Sequence, residues 1–91
     1  NIPVSQILYF ETSHQKHRVR LHAEKEVLEF FGNLQTICEE VGQGFFRCHR
    51  STLVNRDKIR TVHLGGNQVE LTNGEKLPLS RKAKKALVEN L

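Results

Sequence analysis

Residues 58–79 read KIRTVHLGGNQVELTNGEKLPL, and two turn signals inside this stretch decide the fold. Gly65-Gly66-Asn67 separates residues 58–64 from 68–72, and Asn73-Gly74 separates that second run from 75–79. Glycine and asparagine enter the positive-φ region that tight hairpin turns need, so each signal folds the chain back on itself. Two in succession predict a three-stranded antiparallel meander.

Upstream, the apolar run Ile7-Leu8-Tyr9-Phe10 suits a buried strand, and Glu11-Thr12-Ser13 breaks it. From His17 the pattern alternates, with Val19, Leu21 and Ala23 on one face and Arg18, Arg20 and His22 on the other, which predicts a half-exposed strand with a basic outer face. A short strand over 27–31 pairs with it as a hairpin, and Gly32 ends it. Asn33 is placed to cap a helix carrying Leu34, Ile37, Cys38 and Val41 at helical spacing, stopped by Gly42 and Gly44. A strand over 45–48 and a tight helical turn over 51–54 follow, while Ser80 caps a C-terminal helix whose apolar side is Ala83, Ala86 and Leu87. The expectation is about seven short strands, one short internal helix and a C-terminal helix, in an all-β, antiparallel, β-dominated domain.

A chain of 91 residues makes one domain with a modest core. It begins at Asn1 and contains no Met, so it is expected to be a piece of a longer protein. No apolar run reaches the roughly 20 residues that span a bilayer, and no signal peptide opens the chain. The expected location is therefore the cytoplasm, with no membrane partner and with Cys38 and Cys48 reduced. His14, His17 and His22 come without cysteines or a carboxylate cluster, so no metal is expected.

Charge is unevenly placed. Residues 24–40 hold five glutamates against Lys25 alone, leaving thirteen basic residues against five acidic ones elsewhere. Three basic segments stand apart at 14–22, 47–60 and 81–85, each starting near a strand end. Any one is most simply a solvated face, and Lys84 and Lys85 suit a helix C-terminus without any ligand. Together they can neutralise several phosphates at once, which favours nucleic acid. An enzyme fares poorly, because Cys48 and His49 are strand neighbours pointing to opposite faces and no Gly-rich phosphate loop is present. No helix-turn-helix, zinc finger or stacked-aromatic RNA motif is visible, so binding has to be loop-based, and neither a catalytic residue nor a cofactor is expected. The alternative is a small basic β module that binds RNA or an acidic protein.

Five segments carry a family resemblance in order along the chain: ILYFET at 7–12, KHRVRLH at 16–22, EFFGNL at 29–34, FFRCHRSTLVNRDKI at 45–59 and LPLSRKAKK at 77–85. With them, residues 1–91 resemble the LytTR DNA-binding domain, the output module of AgrA-like and ComE-like bacterial response regulators. The resemblance implies an elongated arrangement of short antiparallel sheets whose loops enter successive major grooves of double-stranded promoter DNA. By motif position it implies base contacts from His17, Arg50 and Arg81, and phosphate contacts from Lys16, Arg18, Ser51, Ser80, Lys82 and Lys85. In AgrA-like relatives the place of Arg50 is often a smaller polar residue such as Asn, and the departure leaves the preferred base open, since Arg favours guanine and Asn adenine. The resemblance also implies an N-terminal receiver domain in the full-length protein, control of quorum sensing, competence or bacteriocin genes, and a dimer or paired binding on repeated DNA sites.

Overall fold

A computed structural model describes residues 2–89. Eight strands run in chain order: β1 (Ile7–Thr12), β2 (Arg18–Ala23), β3 (Val27–Phe31), β4 (Phe45–His49), β5 (Thr52–Asn55), β6 (Ile59–His63), β7 (Gln68–Leu71) and β8 (Lys76–Pro78). Helix α1 (Leu34–Val41) lies between β3 and β4, and α2 (Arg81–Glu89) closes the described chain. Every strand pairing is antiparallel, in a five-stranded sheet ordered β3-β2-β1-β5-β4 and the expected meander β6-β7-β8.

Within the five-stranded sheet, β1 and β5 are buried on both faces, whereas the edge strand β3 is largely exposed. One face packs Ile7, Phe10, Phe45 and Leu53 against Leu34 and Ile37 of α1. The other packs Leu8, Tyr9, Cys48 and Val54 against Val69, Leu71 and Leu77 of the meander and Ala83 of α2. Strict alternation would send Leu8 and Tyr9 to opposite faces. The β1–β2 register slips between Ile7 and Tyr9, and such a bulge lets adjacent residues face the same layer. Phe45 and Phe46 do alternate: Phe45 joins the α1 layer, and half-buried Phe46 packs on the meander side.

One element differs from expectation. Residues 52–55 form strand β5, not part of a helical turn, which raises the strand count to eight. All four are buried, because β5 pairs with β1 on one side and β4 on the other and is covered on both faces. A doubly covered strand shows no alternation, and a short apolar run without alternation does not distinguish strand from helical turn. Asn55, buried at its end, donates through Nδ2 to the Ile7 carbonyl at 2.8 Å and accepts from the Asp57 amide at 3.1 Å. Both expected caps are present: Asn33 Oδ1 accepts from the Thr36 amide at 2.9 Å, and Ser80 Oγ from the Ala83 amide at 3.1 Å. The principal extents, 33 × 24 × 23 Å, make the domain only modestly elongated.

Candidate nucleic-acid interface

The end of β1 where it leaves Thr12 gathers the basic segments. The Thr12 amide donates to the Ser51 carbonyl at 3.0 Å, joining the β1–β2 loop to the β4–β5 turn. The Ser80 amide donates to the Cys48 carbonyl at 2.8 Å, joining the start of α2 to β4 just ahead of that turn. Three segments remote in sequence are thereby held side by side by main-chain atoms.

In the β1–β2 loop, Lys16 and His17 are exposed. His17 adopts φ 60°, a left-handed conformation uncommon for a side chain with a Cβ, and its carbonyl accepts from the Gly32 amide at 2.9 Å. Arg18 is more committed: its guanidinium lies 4.2 Å from the Phe31 ring centroid and 4.0 Å from a Glu29 oxygen. Glu29 also accepts from Ser13 Oγ at 2.9 Å and Arg20 Nε at 3.1 Å, and these hydrogen bonds hold its carboxyl below the usual carboxylate range.

At the β4–β5 turn, Arg50 is exposed and Ser51 half-buried. His49 Nδ1 accepts from the Ser51 amide at 3.2 Å and sits 2.8 Å from Ser51 Oγ, which places the ring proton on Nε2, away from the turn. Arg50, Ser80 and Lys82 line one groove, floored by Phe46, Ala83 and Ala86. Arg81 and Lys85 are not in it. They line a second concavity on the other flank of α2, with Lys84 and Asn67, so the helix presents cations on two sides.

Strand β5 divides the basic segment 47–60. Its four residues carry the chain about 13 Å from the turn, so Arg56 and Lys58 lie toward the start of β1. There Lys58 pairs with Glu24 at 3.0 Å, and the Arg56 guanidinium sits 5.1 Å from the Phe46 ring centroid. Arg60 pairs with Glu70 on the meander. The basic cluster is correspondingly smaller than the sequence suggested.

Arg47, which the sequence places in the basic tip without naming it a base or phosphate contact, lines both the cleft under the β1–β2 loop and the groove beside α2. Among the described residues no group of three or more His, Cys, Asp and Glu side chains is placed to hold a metal ion. No described helix is long and apolar enough to cross a membrane.

The family model described as LytTr DNA-binding domain matches residues 1–91, the whole chain. The chain belongs to the LytTr DNA-binding domain family. Accessory gene regulator protein A of Staphylococcus epidermidis is 36% identical over 69 residues, which is 76% of this chain and 29% of that protein. The Staphylococcus aureus protein of the same name is 39% identical over 56 residues, 62% of this chain and 23% of that one. The chain thus spans under a third of the length of these relatives. Among solved structures, the LytTr DNA-binding domain of a putative methyl-accepting/DNA response regulator from Bacillus cereus matches with a TM-score of 0.84, covering 97% of this chain and 83% of that one. At 24% identity that likeness speaks for the fold, and the LytTr fold is the one described above.

Proposed function

We propose that this LytTr domain recognises promoter duplex DNA in a sequence-selective way through its loops, as the output part of a response regulator with an N-terminal receiver domain. The observation that carries the reading is the pair of main-chain bonds, Thr12 to Ser51 and Ser80 to Cys48, that sets three basic segments side by side. In this proposal His17, Arg50 and Arg81 read base edges, because each is exposed at the tip of its segment. Lys16, Ser51, Ser80, Lys82 and Lys85 hold backbone phosphates. Arg18 reaches a phosphate only by leaving Phe31 and Glu29, so its share is the smallest. Two copies on repeated sites in the cytoplasm, serving a quorum-sensing type of circuit, complete the proposal; the staphylococcal relatives are named as gene regulators, which supports its transcriptional part.

A gel-shift titration with promoter duplex, random duplex and single-stranded RNA across a salt series tests it. Affinity is expected to fall steeply with salt on every duplex, with the promoter site keeping its advantage. Equal affinity for promoter and random duplex at every salt concentration refutes selectivity. Preference for RNA favours the alternative.

A further inference from the structure

Five basic side chains of the described chain are half-buried: Arg18, Arg20, Arg47, Lys58 and Lys84. Arg18 and Arg20 share Glu29, Lys58 has Glu24, and Lys84 Nζ lies 3.4 Å from Asn67 Oδ1. Arg47 forms no ion pair among the described residues. Among the described residues its side chain makes one hydrogen bond, from Nη2 to the neutral Arg50 carbonyl at 2.6 Å, and its Nε is buried without a partner. Only Nε is withdrawn from water, and a buried N–H without a partner is costly, while the rest of the guanidinium faces the clefts it lines, where an anion can accept from it.

The position of Arg47 indicates what that anion is. The β4–β5 register slips between Phe46 and His49, so Arg47 sits in a bulge, a device that re-aims a side chain. It lines the cleft whose other walls are the loop carrying Lys16 and His17 and the start of α1 at Asn33 and Leu34, where the helix dipole is positive. It also holds the carbonyl of Arg50. We propose that Arg47 is a phosphate clamp, whose guanidinium binds one phosphate oxyanion in the cleft between the β1–β2 loop and the β4–β5 turn while fixing the turn that presents Arg50. The clamp rests on the duplex-binding reading above and adds to it a contact that locks two reading segments onto one backbone phosphate.

The test compares the 91-residue chain with Arg47→Gln and Arg47→Lys on random duplex. Loss of one phosphate contact makes the log–log salt slope shallower by about 0.9, so between 50 and 200 mM salt the Gln variant loses about 3.5-fold less affinity than the parent. The Lys variant keeps the charge and is expected to keep the parent slope. The melting temperature of Arg47→Gln should stay level or rise, because an uncompensated charge leaves a half-buried site. An unchanged slope with a lowered melting temperature overturns the clamp and leaves a structural strut. Should Arg47→Gln fail to fold, the parent answers through the 15N resonance of Arg47 Nε. A response to random duplex, with or without one to inorganic phosphate, supports the clamp, and a response to duplex alone assigns the anion to the DNA backbone. A response to inorganic phosphate only, or to neither, overturns it. If the parent binds no duplex at all, the functional reading and the clamp fall together, whereas binding with an unchanged Gln slope removes the clamp alone.

Discussion

Truncating Phe45 to Ala should separate scaffold from reading surface. Phe45 is 5% exposed and packs among Phe10, Leu34, Ile37 and Leu53, its ring centroid 5.7 Å from that of Phe10 in a tilted arrangement. Losing a buried Phe costs about 3–5 kcal/mol for transfer and cavity together, and the lost aromatic pair places this site toward the upper end. Domains of this size melt about 4–8 °C lower per kcal/mol, so Phe45→Ala should melt at least about 12 °C below the parent, against a total stability on the order of 5–15 kcal/mol. Phe46, half-buried on the opposite face, should cost about half as much when cut to Ala. Circular-dichroism melts and duplex gel shifts should be run on both variants. Duplex binding by Phe45→Ala should disappear at the temperature where its secondary structure does, with parent-like affinity below it. A Phe45→Ala melt equal to the parent's, or a larger loss in Phe46→Ala, would refute the assignment of the two rings to their layers.

Further outcomes follow from other sites. Arg50→Ala and Arg81→Ala should each cost about 1–3 kcal/mol on a specific duplex and relax preference at one position, while Lys85→Ala should weaken all duplexes alike; equal losses on specific and random duplex would move Arg50 or Arg81 to the phosphates. Hydrogen bonds from His63 and Arg60 hold the Glu70 carboxyl down to about 2, below its ordinary 4.5. Its contribution to stability is therefore full above about 4.5 and is lost as pH falls toward about 2, so Glu70→Gln should flatten that part of an acid-melting profile, and an unchanged profile would refute the linkage. Burial pushes the Cys48 thiol up to about 12, so a thiol reagent at pH 8 should modify Cys48 only as the domain unfolds; rapid modification of both cysteines in the folded chain would contradict its burial.

The sequence announced whatever it marked with local chemistry. Asn73-Gly74 and Gly65-Gly66-Asn67 specify turns through their backbone freedom, and Asn33 and Ser80 specify helix starts through their side-chain acceptors, so the meander and both caps were legible. Strand β5 was not, because Thr52 to Asn55 are buried on both faces by partners more than forty residues upstream as well as by β4. That single misreading kept Arg56 and Lys58 near the tip, where the structure does not place them. Arg47 escaped for a related reason: composition shows its charge, but only packing shows that the charge lacks a partner. The side-by-side placement of the 14–22, 47–51 and 80–85 segments follows from long-range main-chain bonds, which leave no mark on spacing or periodicity.

Because Thr12 and Ser51, and likewise Ser80 and Cys48, are joined through amide and carbonyl atoms, the exposed side chains of Lys16, His17, Arg50 and Arg81 do no structural work in holding the segments together. Exposed substitutions of that kind usually change stability by no more than about 0.5 kcal/mol. The chemistry offered to a ligand and the folding of the chain are therefore written in different atoms. A lineage carrying this scaffold is free to exchange the residues at its tips one at a time, moving from one target to another through intermediates that all still fold.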